Sequence, residues 1–181
     1  DEGFKASPHT AYTETGICGY NTQFLERYDS NATEVGFASP DFDDKNWENA
    51  QTLRYTDHTL TLQKSGMLEF ETILPVNTTA VGNRILYDFG SNYVGYLCVH
   101  AKGKKNDIIT VRCAQELNDD GTLRYNLRAN CTYEEDWILS DEESFLDWFD
   151  YKSFRYAELA MPVNIEILDV YFCARHYPFE L

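Results

Sequence analysis

The chain has 181 residues and carries 30 Asp and Glu residues against 15 Lys and Arg, which gives a formal net charge of −15 at pH 7. Such a charge repels phosphate backbones and anionic lipids, so nucleic acid and membrane surfaces are not expected partners. Aromatic residues make up 15% of the chain, mostly Tyr and Phe, a composition typical of a folded β-protein rather than a disordered one.

The five cysteines are an odd number and include no Cys-x-x-Cys pair, so their spacing predicts neither a closed set of disulfides nor a zinc site. Free thiols favour a reducing compartment, and with no visible secretion signal we expect a cytoplasmic location. The chain also begins without Met, which predicts that it is a piece of a longer protein.

The first third of the chain is irregular, and the remainder alternates short apolar runs with turn signals. Residues 1–60 are rich in Thr, Asn, Asp and Gly, which predicts brief strands and long loops. Residues 42–50 place acidic capping residues before Trp47, a pattern typical of one helical turn. Further strands are predicted at residues 67–74, 84–103, 107–117, 132–140, 145–149, 154–159 and 165–173.

Polar turn signals join these strands. Residues 102–106 predict a hairpin loop, and residues 118–121, Asn-Asp-Asp-Gly, predict a tight turn because Asn and Asp bond their own backbone and Gly accepts positive φ. No stretch keeps a helical apolar period for three turns, which disfavours crossover helices and a parallel sheet. The predicted fold class is therefore all-β, an antiparallel β-sandwich with short helical turns.

Hydrolysis of glycosides usually needs two carboxylates about 5–10 Å apart. Glu69 and Glu71 share one strand face, as do Glu134 and Asp136, so either pair is a candidate. Residues 134–150, however, contain eight carboxylates and no basic residue, which favours a solvated acidic face. Because nucleophile elbows, His-x-x-x-His pairs and phosphate-binding glycine loops are missing from the sequence, we assign no catalytic residue, metal or cofactor.

One phrase carries a family resemblance. The stretch Tyr87-Asp-Phe-Gly-Ser-Asn-Tyr-Val-Gly-Tyr-Leu97 resembles the phrase that opens the β-sandwich domain before the catalytic barrel of bacterial α-L-rhamnosidases. Later phrases that are similar to that family follow in order, at residues 114–123, 126–128, 136–139 and 148–159. The resemblance covers about residues 60–177, and two earlier stretches, 18–29 and 42–50, resemble the end of the galactose-binding-like sandwich of such enzymes.

The resemblance implies a domain arrangement. It places a jelly-roll or galactose-binding-like sandwich at residues 61–178, the end of an upstream sandwich or an N-terminal extension at 1–60, and the start of a linker to a helical barrel at 179–181. In this family the catalytic carboxylates belong to an (α/α)6 barrel of the same polypeptide, which is the expected partner, and no residue here corresponds to them. Lys152 and Ser153 stand where the family often has His-Gly, a departure that leaves the sugar open.

Three functions stay open at this point. The first is a noncatalytic module that scaffolds or flanks the barrel, and the second is a carbohydrate-binding module with weak affinity for rhamnose-containing oligosaccharides. The third is a stand-alone sandwich glycosidase with its own carboxylate pair. For the second, the candidate sugar contacts are aromatic side chains that stack on a ring and polar groups that bond hydroxyls: Tyr93, Tyr96, Trp137, Asp88, Asn92, Asn126 and Arg128.

The resemblance favours a structural role for the segment where two β-rich runs meet. Gly90 and Gly95 predict a bend or bulge where the chain crosses between sheets. Asp88 and Asn92 are predicted to bond the backbone that is exposed there. Arg155 is predicted to form an ion pair with a carboxylate on a neighbouring strand.

Overall fold

The computed structural model describes residues 3–20, 23–34, 36–51, 59 and 61–178. The strands of its first part are β1 (Lys5–Ala6), β2 (Tyr12–Cys18), β3 (Gln23–Asp29) and β4 (Glu48–Asn49), with a 3₁₀ turn at Ser30–Ala32. The later strands are β5 (Glu69–Ile73), β6 (Asn77–Val81), β7 (Arg84–Lys102), β8 (Ile108–Ala114), β9 (Glu134–Ile138), β10 (Glu143–Phe145), β11 (Lys152–Ala160) and β12 (Glu166–His176). The predicted all-β class is confirmed.

Within the described ranges, ten strands form one continuous mixed sheet that folds over into two layers, and β1 and β4 pair separately. The first layer runs β2-β3-β9-β8-β11 and continues through the N-terminal half of β7 to β6. The second layer consists of the C-terminal half of β7 with β10, β12 and β5. The predicted antiparallel sandwich is confirmed with one exception, since β3 and β9 pair in parallel.

Strand β7 belongs to both layers and bends between them. Its pairing with β11 jumps from Tyr93 opposite Phe154 to Asp88 opposite Tyr156, so four residues of β7 face a single residue of β11. This excess defines a β-bulge. Gly90 inside the bulge has a φ of +83°, in the left-handed region that glycine adopts without a steric penalty. The predicted bend between the sheets is confirmed.

The core lies between the two layers and is centred on aromatic side chains. Phe89 of the bulge, Phe154 of β11 and Phe172 of β12 are all fully buried. The ring centroids of Phe154 and Phe172 are 4.5 Å apart, and those of Phe89 and Phe172 are 5.6 Å apart. Burial stabilises each such side chain by about 1.5–3 kcal/mol, so this cluster holds the bend in place. Other fully buried side chains are Trp137, Leu97, Ile109, Leu139, Leu159 and Val99.

The N-terminal hairpin is part of the same sheet. Strand β2 pairs with β3, and β3 lies beside β9 with Arg27 opposite Asp136. Strands on both sides of residue 60 therefore share a sheet, while the domain division at that residue stays a prediction. The predicted linker at 179–181 lies outside the described residues. No helix in the described ranges has the length and apolar character needed to cross a membrane.

The helical turn predicted at residues 42–50 is wrong. The backbone N–H of Trp47 donates to the carbonyl of Asp44 at 2.9 Å, and that of Lys45 donates to Asp43 Oδ1 at 3.2 Å, which closes a short non-helical turn. The chain then extends at once into β4 and pairs with β1. The capping carboxylate is present as expected, but the strand that follows leaves no length for a helix.

Candidate functional site

The β7 bulge is closed by a bidentate ion pair. Arg155 Nε donates to Asp88 Oδ1 at 2.7 Å, and Arg155 Nη2 donates to Asp88 Oδ2 at 2.8 Å. Asp88 Oδ1 also accepts from the backbone N–H of Gly90 at 2.7 Å. The side-chain hydrogen bonds from Arg155 lower the pKa of Asp88 below its ordinary value. The ion pair predicted for Arg155 and the backbone bond predicted for Asp88 are both confirmed, so the carboxylate of Asp88 is already occupied.

The predicted sugar contacts on β7 do not converge. Asn92 is exposed on the bulge, whereas Tyr93 is half-buried and packs on Phe172 with 5.7 Å between ring centroids. Tyr96 lies on the C-terminal half of the strand, where its hydroxyl accepts from Arg175 Nη1 at 3.4 Å. These side chains point to different surroundings, and their role in binding stays a prediction.

Two other predicted contacts lie in the loop between β8 and β9. Asn126 Oδ1 accepts a hydrogen bond from Thr132 Oγ1 at 3.2 Å, which braces the loop. Arg128 is exposed and lines a cleft of about 360 Å³ together with Glu116 and Arg124. Those two side chains form an ion pair of 2.7 Å across the cleft. This loop is a separate place from the bulge.

The structure contradicts the prediction that Trp137 stacks on a sugar ring. Its relative exposure is 0%, and its indole Nε1 donates to Ser30 Oγ at 2.8 Å. Because both ring faces are covered by the core, no ligand can stack on this side chain. An alternating strand with one buried face places every second residue inside, and Trp137 is on the inner face of β9.

The candidate catalytic pair on β9 is engaged by arginines. Glu134 Oε2 accepts from Arg112 Nε at 2.5 Å, and Asp136 Oδ2 accepts from Arg27 Nη2 at 3.0 Å. Each carboxylate is thus already hydrogen-bonded to a guanidinium group of the protein. The other candidate pair lies exposed on the edge strand β5, where water surrounds both groups.

A buried charge cluster lies on the inner side of the first layer. Lys152 Nζ is 2.9 Å from Glu135 Oε2, and both side chains are 4% exposed. Among the described residues, the ammonium has no partner in hydrogen-bonding alignment, although it also lies 5.5 Å from the ring centroid of Trp148. The contact is therefore an ion pair supported by a cation–π interaction in a dry environment.

Glu26 extends this cluster to the N-terminal hairpin. Its carboxylate accepts from the backbone N–H groups of Phe149 and Asp150 at 3.0 Å and 2.9 Å. Its own backbone N–H donates to Glu135 Oε1 at 3.0 Å. The cluster therefore ties β3, β9 and β11 to the segment that follows β10.

Burial and the ion pair together set the protonation of this cluster. Desolvation raises the pKa of Glu26 and of Glu135 above the ordinary value for a glutamate. Burial also opposes the charged form of Lys152, but the adjacent Glu135 carboxylate more than offsets this effect. The pKa of Lys152 is therefore raised. In the sequence, Lys152 stands out only as a departure from the pattern of the similar family. Its position in an apolar alternating strand was the signal that it is buried.

A cleft of about 610 Å³ lies between the segment after β3 and the segment around β10. Its walls combine hydroxyl groups, carboxylates and two exposed phenyl rings, those of Phe37 and Phe145. One face of Phe145 stacks on His100 at 4.1 Å between centroids. The polar lining residues are Tyr28, Ser30, Thr33, Glu34, Ser140, Glu142, Glu143, Ser144 and Asp147. None of the seven predicted contacts lines this cleft, which the sequence could not reveal because its walls come from separate loops.

The charged side chains that line this cleft are all carboxylates. Across the described ranges, no three His, Cys, Asp or Glu side chains converge as ligands for a metal ion. The carboxylates of the cleft are suited instead to accept hydrogen bonds from hydroxyl groups.

Comparison with known proteins gives a consistent result. A family model described as the bacterial alpha-L-rhamnosidase concanavalin-like domain matches residues 78–175. The alpha-L-rhamnosidase of Formosa agariphila is 27% identical over 146 residues, which cover 75% of this chain and 15% of the relative. The alpha-L-rhamnosidase of Streptomyces avermitilis is 28% identical over 142 residues, which cover 74% of this chain and 14% of the relative.

Solved structures agree with the sequence relatives. The alpha-L-rhamnosidase of Dictyoglumus thermophilum has a TM-score of 0.68 and 28% identity, covering 84% of this chain and 18% of that one. The Streptomyces avermitilis enzyme complexed with L-rhamnose has a TM-score of 0.67 and 25% identity, covering 84% of this chain and 15% of that one. The chain thus spans only about one seventh of the length of the curated relatives it matches.

Proposed function

The chain belongs to the bacterial alpha-L-rhamnosidase concanavalin-like domain family, and from this we propose that it is a noncatalytic β-sandwich domain that scaffolds the catalytic domain of a rhamnosidase-type glycoside hydrolase. The observation that carries the proposal is that the match covers only 15% and 14% of the length of the two relatives. Proteins several times longer leave ample length for a separate catalytic domain. The (α/α)6 barrel of the same polypeptide is the proposed partner.

The carboxylates support a role other than catalysis. On β9, Glu134 and Asp136 are paired with arginines, and the buried Glu26 and Glu135 are occupied by backbone amides and by Lys152. An acid and base pair for glycoside hydrolysis needs two carboxyls that face a common cleft with room for the sugar. The two carboxylates with raised pKa values, Glu26 and Glu135, are instead 8% and 4% exposed and already have partners within the protein.

The test compares the chain alone with the longer polypeptide that contains it, called the parent here. We expect the parent to hydrolyse an aryl α-L-rhamnoside and the purified chain to release no product above the buffer rate. Hydrolysis by the chain, abolished in Asp136→Asn, would instead establish a catalytic sandwich. An inactive parent would refute the assignment to a rhamnosidase.

A second function, weak saccharide binding, is favoured by the cleft of about 610 Å³. Hydroxyl and carboxylate groups that can bond sugar hydroxyls lie there beside Phe37 and Phe145, whose rings are 54% and 63% exposed. An exposed aromatic ring beside polar groups is a common platform for one face of a sugar. We place this binding in the cleft rather than at the residues predicted from the sequence.

NMR titration of the chain with L-rhamnose and with rhamnose-containing oligosaccharides distinguishes the two functions. Binding in the cleft predicts shifts at Phe37 and Phe145 that saturate at millimolar sugar and disappear in Phe145→Ala. Phe149 is 80% exposed and lies outside this cleft, so Phe149→Ala is the matched control and keeps the shifts. The absence of any shift at millimolar sugar removes the binding function and leaves the scaffold.

A further inference from the structure

An apolar surface runs along residues 67–81, called the apolar ribbon here. Its large apolar side chains are exposed by 60% to 78%: Met67, Phe70, Leu74, Val76 and Val81. Residues 72–83 form a run of twelve without a single charged side chain, although a quarter of the whole chain is charged. Exposed apolar groups concentrated on one segment mark an interaction surface more often than a solvated one.

The ribbon joins the edges of the two layers. Strand β5 pairs only with β12 and β6 pairs only with β7, so within the described ranges each has an open edge. Between them, the backbone N–H of Val76 donates to the carbonyl of Asp88 at 2.7 Å. The methyl groups of Val76 also lie 3.4 Å and 3.5 Å from the place where a Cβ of Gly90 would be, so the ribbon is seated on the bulge.

Such edges are normally protected. Natural sheets place lysine, proline or inward-pointing charges on open edge strands, because unpaired backbone groups beside apolar side chains promote association. In the ribbon only Pro75 and the pair Glu69 and Glu71 serve this purpose, and β6 has no charge at all. The lack of protection is explained if another part of the molecule covers β6 and the end of β5.

We propose that the apolar ribbon is the surface on which this domain docks against the remaining part of its own polypeptide. The inference rests on the proposed function, since relatives of which this chain covers about 15% must carry further domains. A second copy of the chain is a poorer occupant because each copy carries a charge of −15, and two such copies repel one another. The neutral ribbon requires an apolar partner surface, which an adjoining domain supplies without this repulsion.

Hydrogen exchange measured by mass spectrometry tests the docking. In the parent polypeptide we expect the amides of residues 69–81 to exchange at least roughly tenfold more slowly than in the chain alone. The amides of β9, residues 134–138, are enclosed between β3 and β8 and serve as a reference that exchanges equally in both. Equal exchange of the ribbon in both samples would overturn the proposal. Protection in the isolated chain that rises with its concentration would overturn it too, in favour of a second copy.

Single substitutions sharpen the test. Leu74→Lys and Val81→Lys are expected to restore fast exchange of the ribbon in the parent, and Val163→Lys, at a 95% exposed position outside the ribbon, is expected to have no effect. Urea unfolding of the isolated variants checks that each still folds with an unchanged midpoint. Wild-type exchange in both ribbon variants of the parent would refute docking there. Rhamnosidase activity of the same parent sample is assayed separately, so an inactive parent refutes the proposed function while the exchange data still decide the docking surface.

Discussion

Replacing Lys152 by Met is the most direct test of the buried charge cluster. Methionine has a similar length and no charge, so the substitution removes the cation and keeps most of the packing. In the structure, Lys152 Nζ is 2.9 Å from Glu135 Oε2, and both side chains are 4% exposed. The variant therefore leaves the Glu135 carboxylate buried without its counter-charge.

The magnitude follows from this burial. Removing one partner of a buried ion pair typically costs about 3–5 kcal/mol, because the remaining charge has lost its compensation. For a chain of this size, 1 kcal/mol shifts the Tm by about 2–4 °C, so we expect Tm to fall by roughly 6–20 °C. Protonation of Glu135 limits the loss, since the pKa of this carboxyl is already raised by burial.

That protonation makes the cost depend on pH. A raised pKa in the folded state means that folding favours the protonated carboxyl, so the associated stability is present below the unfolded pKa and is lost as pH rises through the folded pKa. Removing Lys152 raises the pKa of Glu135 further. We therefore expect Lys152→Met to cost less near pH 5 than near pH 8.

Urea unfolding followed by tryptophan fluorescence measures these effects, because Trp148 lies beside Lys152. The double variant Lys152→Met with Glu135→Leu is expected to recover part of the loss, since it removes the unpaired charge. Recovery is incomplete because the backbone N–H of Glu26 loses its acceptor. Lys104→Met, on an exposed loop, is the control and should change stability by less than about 0.5 kcal/mol. A cost below about 1 kcal/mol for Lys152→Met at pH 8, or a double variant no more stable than the single one, would refute the reasoning.

Three further predictions concern the bend and a buried thiol. Gly95→Ala is expected to destabilise the chain by about 3 kcal/mol or more in urea unfolding, because the alanine Cβ would lie 2.0 Å from the carbonyl oxygen of Cys173. A smaller loss of stability would contradict this and show that β12 can shift away. Asp88→Asn should lower the stability of the chain at neutral pH. Because the pKa of Asp88 is lowered in the folded state, its stabilisation is present above the ordinary pKa of 3.8 and is lost as pH falls through the folded pKa, so the variant and the wild type should become equally stable in acid. A constant difference in stability down to pH 2 contradicts this. Burial raises the pKa of the Cys113 thiol to about 12. Iodoacetamide at pH 8 should therefore label the half-exposed Cys131 in the folded chain and react with Cys113 only in urea. Mass spectrometry of the peptides measures the labelling of each cysteine.

The strands with an alternating pattern were accessible from the sequence. In β8, the buried residues Ile109, Val111 and Cys113 alternate with half-exposed ones, and this strand lies within the one predicted at residues 107–117. The tight turn at residues 118–121 was also predicted, and Gly121 N–H donates to the Asn118 carbonyl at 2.9 Å. Both signals are local, because they depend on neighbours within a few residues of the chain.

Strand β6 was missed because it has no such signal. Its Asn, Thr and Ala residues are exposed on both faces and follow a proline, so neither burial nor alternation marks it. It is a strand because the N-terminal half of β7 offers an open edge beside it, with Asn77 opposite Asp88. The same limit applies to aromatic side chains, since composition could not distinguish the buried Trp137 from the exposed Phe145.

The sequence by itself therefore determined the all-β class, the bend at Gly90, the family to which the chain is similar, and the positions of β5, β7, β8, β9, β11 and β12. Only the tertiary structure decided which groups meet. Arg155 bonds Asp88 across 67 residues, and Glu26 bonds the backbone of Phe149 across 123 residues. These contacts depend on the register between strands that are distant in sequence, and a one-residue slip would turn each side chain to the opposite face. Local patterns carry the period of a strand, whereas the partner of each side chain is set by how the two layers fold over one another.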